Sequence, residues 1–122
     1  MDEKQAPQAP RILSREEILA MDDIPTETVE VPEWNGAVVV RGMSAQERLE
    51  WGGKVKGPDG TTDVEKAMYY AIVYGVQEPR FSEDDIPALK KKSGAALDRV
   101  AKAWLRLSGL GAEEAIVARG NS

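Results

Sequence analysis

A chain of 122 residues, 42% hydrophobic and 30% charged, has the size and composition of one soluble domain. It contains no cysteine and no histidine, which excludes disulfides, thiolate metal sites, cysteine nucleophiles and the commonest general base. A formal net charge of −5 argues against nucleic acid as a partner, because phosphate contacts need clustered Lys and Arg, and no apolar run approaches the roughly 18 residues of a membrane span.

Residues 1–11, with Gln5, Pro7, Gln8 and Pro10 and little that is apolar, are expected to form a disordered tail. Met1–Gln5 lacks the basic and then apolar start of a secretion signal. Ser14 and Glu17 form a capping box that opens a short helix, with Leu13 and Ile18 placed to staple its start. Pro25 ends it by disfavouring helical geometry at Ile24. A β-hairpin is expected over about 26–42. Thr26–Val31 mixes β-branched residues with Glu, and Ala37–Arg41 is a β-branched run. The Asn35-Gly36 pair between them is a turn signal, since both residues tolerate positive φ, and Trp34 stands beside it.

Helices are expected from 44 to 119. Ser44 and Glu47 make a second capping box, for a helix reaching about Trp51 and weakened by Gly52-Gly53. Gly57-Pro58-Asp59-Gly60 reads as a loop and Thr62–Glu65 as a third capping box. Val64, Ala67, Met68, Ala71, Ile72 and Val76 then line one face of a core helix, with Tyr70, Val73 and Tyr74 on another. Phe81–Asp85 is a turn, and Pro87 is tolerable only in the first turn of the helix after it. A last long helix over about 94–108 carries the stripe Leu97, Val100, Trp104 and Leu107 against a wet face of Asp98, Arg99, Lys102 and Arg106. Gly109 caps it in left-handed geometry, and a short turn or helix runs from Gly111 to Arg119. The fold class is therefore α+β, one domain over 12–119 in which a short helix and hairpin precede a small helical bundle.

Chemistry is sparse. Asp59–Asp63 does not follow the spacing of a calcium loop, and Gly57–Thr62 lacks the ending of a phosphate loop. Glu27 and Glu30, at an odd offset, point to opposite faces of a strand. No catalytic, cofactor or metal residues are assigned, and the chain is read as non-enzymatic. Candidate partner-binding residues are Trp34 by its turn, Trp51, and the basic run Lys90, Lys91 and Lys92. Trp104 reads as core. Charge is unevenly spread, with seven acids and no base over Glu16–Glu33 and six bases against Asp98 over Lys90–Arg106. If these blocks point apart, copies can stack head to tail as a homo-oligomer. If they face each other, they pair within one molecule.

The order of these pieces resembles the phage tail assembly chaperones of long-tailed siphophages and prophages. The likeness is carried by Ile12–Ala20, Asp22–Ile24, Thr28–Trp34 with Gly36, and Val40–Arg48. It continues through Phe81–Ile86, Leu89, Lys92-Ser93, Ala96–Arg99 and Leu107–Gly111. Gly52–Thr62 and Pro87 depart from the pattern. The resemblance implies a helper in the host cytoplasm, absent from the mature virion, that binds the tape-measure protein, keeps it soluble and assists tail-tube polymerisation, with the tail-tube protein as a further partner. Other readings are a structural tail component, such as a terminator or tube-completion protein, and an acidic inhibitory decoy.

Overall fold

The computed structural model describes residues 9–110. The tail expected over 1–11 therefore lies almost wholly outside the described residues, as does the element expected over 111–119.

Helix α1 (Arg15–Ala20) begins as read, with Ser14 Oγ accepting from the Glu17 N–H and the Glu17 carboxylate accepting from the Ser14 N–H. None of its residues is buried. Strands β1 (Thr26–Val31) and β2 (Gly36–Arg41) form the antiparallel hairpin, with Val31 opposite Gly36. Its turn differs from the expected Asn-Gly type. Pro32, with its fixed φ, starts a 3-10 turn over Pro32–Trp34, and only Asn35 is left-handed, at φ 55°. Gly36 is already the first residue of β2.

Helix α2 (Ala45–Lys54) carries the expected capping box at Ser44 and Glu47 but runs through Gly52-Gly53 instead of stopping near Trp51. Helix α3 (Val64–Gly75) is capped by Asp63, which accepts from the Lys66 N–H, so the cap is Asp63 rather than Thr62. Its buried side is Tyr69, Ala71, Ile72 and Val73, while Val64 is exposed. Val76 leaves the helix and starts β3 (Val76–Glu78), a strand the sequence did not reveal. It pairs antiparallel with β2 and completes a sheet of order β1-β2-β3. A 3-10 turn over Glu83–Asp85 leads into α4 (Ile86–Leu89), with Pro87 in its first turn as the sequence requires. Helix α5 (Gly94–Leu107) is capped by Ser93 and ends at Gly109, whose φ of 84° is the expected left-handed cap.

The molecule is α+β, an early hairpin followed by helices, and the sheet ties them together. Alternation on β1 and β2 turns Val29, Val31, Val38 and Val40 inward, where α5 covers them with Ala96, Leu97, Val100 and Trp104. Helix α3 packs on α5, and α2 packs on α3. Two close approaches fix this arrangement. Gly75 lies against the Trp104 indole, and Gly42 against the backbone of Leu107. Met43 N–H donates to Ser108 Oγ, which joins the exit of β2 to the end of α5.

Candidate functional site

Two ion pairs join the charge blocks inside one molecule. Helix α5 runs along β1 in the opposite direction. The result is that Arg106 Nη1 donates to Glu27 Oε1 at 2.8 Å near one end, while Arg99 pairs with Glu33 near the other. Glu27 faces α5 because it shares the inward parity of Val29 and Val31, and Glu30 faces away, as the odd offset demands. Lys102 pairs with Asp98 along α5. These two pairs neutralise part of the acidic and basic blocks within one molecule.

The hydrogen bonds from Arg106 and Arg99 lower the Glu27 and Glu33 carboxyls below their ordinary 4.5. A carboxyl lowered in the folded state contributes stability that is present above its unfolded pKa and lost as pH falls through the folded one. Melting temperature will therefore hold from pH 7 to about 4.5 and decline below it. A combined Glu27→Gln and Glu33→Gln variant should show a shallower decline. An unchanged decline would mean that these surface pairs contribute nothing.

The three tryptophans have different settings. Trp104 is fully buried. Trp51 is half-buried, edge-on to Trp104 at a centroid distance of 5.3 Å, and its Nε1 donates to the Ala67 carbonyl. Trp34 is half-buried against the core beside the hairpin turn. Lys90, Lys91 and Lys92 are exposed, on the turn that leads into α5. Lys90 Nζ lies 5.7 Å from the centroid of the Tyr69 ring. None of the three lysines makes an ion pair among the described residues. The direction of α5 puts Lys90–Lys92 at the hairpin-turn end with Trp34, while Trp51 sits apart, on the helical side.

A further surface is one that sequence reasoning did not pick out. Ile12, Leu13, Ile18, Leu19 and Met21 all stand exposed, Ile12 at 87% and Leu19 at 68%. They surround α1, on an arm that adds nothing to the core. With Leu49 on α2 and Val64 on α3, these are the large apolar side chains that the described residues leave exposed. The signal was available as an apolar run around a capped helix, but local pattern alone did not say whether the domain would cover it. The arm joins the body at Pro25, whose carbonyl accepts from the Gly42 N–H, at the end opposite the lysine turn.

Among the described residues no group of His, Cys, Asp and Glu could hold a metal ion, and no helix is long and apolar enough to cross a membrane. Comparison with protein families, curated proteins and solved structures returned no match.

Proposed function

We propose that the chain is a phage tail assembly chaperone, a non-catalytic helper in the host cytoplasm that binds the tape-measure protein and keeps it soluble while tail-tube subunits polymerise around it. The observation that carries this reading is the arm. A domain whose core closes without α1 holds five apolar side chains ready for another chain. A long amphipathic helical client offers a matching apolar stripe, and charged residues around the patch keep such binding reversible. The ordered resemblance from Ile12 to Gly111 supports the same class. The acidic decoy draws less support, because Glu27 and Glu33 of the acidic block are bound to arginines.

The test is twofold. The chain should co-purify with the tape-measure protein when the two are co-expressed, and mass spectrometry should find it in infected cells but not in purified virions. Its presence in virions at stoichiometric amounts would make it a structural tail component instead.

A further inference from the structure

Asn35 and Gly36, at the exit of the hairpin turn, carry a reaction of their own. The backbone nitrogen of a glycine can attack the side-chain amide of the asparagine before it, and a residue without a Cβ does not hinder that approach. Both residues are exposed, and they line an open cleft with Glu30, Pro32 and Ala37, so water reaches them.

The folded hairpin holds the reacting groups apart. Asn35 has φ 55° and ψ 38°. Left-handed geometry brings Cβ beside the residue's own carbonyl oxygen, on the side away from the Gly36 nitrogen. The Gly36 N–H is also committed. The Gly42 N–H donates to the Pro25 carbonyl, and this pair continues the register that sets Val31 opposite Gly36. Bonded and non-bonded pairs alternate along an antiparallel ladder, so a pair an even number of residues further on is bonded again. The Gly36 N–H therefore faces Val31 and closes the ladder.

We propose that Asn35 is a deamidation site that the closed hairpin protects and that reacts when the turn opens. In the opened turn the Gly36 nitrogen bonds to Asn35 Cγ, and the Cγ–Nδ2 bond breaks. The Gly36 N–H proton leaves with Nδ2 as ammonia, and a cyclic imide remains. A water molecule then opens the ring. Its attack at Cγ gives an aspartyl residue at position 35, and its attack at the main-chain carbonyl carbon gives an isoaspartyl one. The isoaspartyl product routes the main chain through the former side chain and lengthens it by one carbon. Val31, opposite Gly36, is fully buried, so a longer turn pulls the closing pair, and a core residue with it, out of register. Opening followed by reaction is therefore one-way. This holds whatever the client is.

Mass spectrometry of the proteolytic peptide that contains Asn35 reads the reaction out, since the chain's other asparagine, Asn121, falls on a different peptide. The full chain is aged at neutral pH in native buffer and in strong urea. In urea the peptide should convert to both acids. In native buffer conversion should be at least about tenfold slower, because it draws only on the locally opened fraction. Asn35→Gly tolerates the positive φ and removes the amide, so this variant should melt like the parent and show no conversion at position 35. After urea is removed, the isoaspartyl fraction should melt below the parent, while aged Asn35→Gly should regain its full melting temperature. A peptide that stays unconverted in urea overturns the proposal. Native conversion as fast as that in urea, or an isoaspartyl fraction that melts like the parent, does the same.

Discussion

Trp104→Ala will destabilise the protein by about 3–5 kcal/mol, the usual cost of emptying a large aromatic site in a core. The indole is fully buried where α5 meets α3, with Gly75 against one part of it and the edge-on Trp51 ring against another. Truncation therefore leaves a cavity that two helices and the sheet cannot collapse without moving together. One feature tempers the loss. The Trp104 Nε1–H is buried without an acceptor among the described residues, so the native side chain already carries a desolvation cost of about 1–3 kcal/mol. Urea denaturation followed by circular dichroism measures the change. At about 4–8 °C per kcal/mol for a domain of this size, the melting temperature should fall by more than about 12 °C. A fall of only a few degrees would place the packing centre elsewhere.

Gly75→Ala will be nearly as damaging, through the opposite defect. A Cβ at this position would sit 2.5 Å from Trp104 Cδ1 and 2.6 Å from Cγ, well inside contact distance. The indole has nowhere to retreat, since it is fully buried and held by Trp51. Overpacking of this kind costs about 1–3 kcal/mol and more where neighbours cannot shift. The two substitutions must also couple, because they act on one contact. In the Trp104→Ala background the approaches to Cδ1 and Cγ disappear and only the 3.1 Å approach to the residue 104 Cβ remains, so Gly75→Ala costs much less there. Additive losses in the double variant would show that Gly75 is constrained by something other than the indole.

Local chemistry was the legible part of this fold. The capping boxes at Ser14 and Ser44 announce helices because each satisfies backbone groups within four residues, and Gly109 announces an end because it tolerates the left-handed region. The stripe of α5 was readable as far as Leu97, Val100 and Trp104, which are buried, while Leu107 stays half-exposed at the helix end. What depended on distant partners was not readable. Strand β3 follows α3 without any turn signal and is extended because the free edge of β2 needs pairing. Helix α2 continues through two glycines, each a cost of about 1 kcal/mol in a helix, because Trp51 is anchored on Trp104 and Val55 beyond the glycines is buried. Thr62 lost the cap to Asp63 because the carboxylate one residue later reaches the Lys66 N–H.

The candidate site divides in the same way. Lys90–Lys92 could be named from sequence as a basic run and are exposed as such a run should be. Trp51, named as a candidate from sequence, is half-buried against Trp104, a setting that depends on α2 reaching α3 and α5. The pairing of Glu27 with Arg106 spans 79 residues and becomes visible only once α5 lies along β1. The arm shows the reverse case. Leu13 and Ile18 read as a local staple, and they remain 40% and 54% exposed because no described part of the body buries α1.

The most direct measurement of the chaperone reading is the soluble fraction of the tape-measure protein co-expressed with the intact chain or with an arm variant, Ile18→Ser with Leu19→Ser. Both side chains are exposed and outside the core, so the variant should melt within about 0.5 kcal/mol of the parent. The intact chain should raise the client's soluble yield and co-elute with it on size exclusion, and the arm variant should lose most of both effects. A client that is equally insoluble with and without the intact chain, and that never co-elutes with it, would contradict the account.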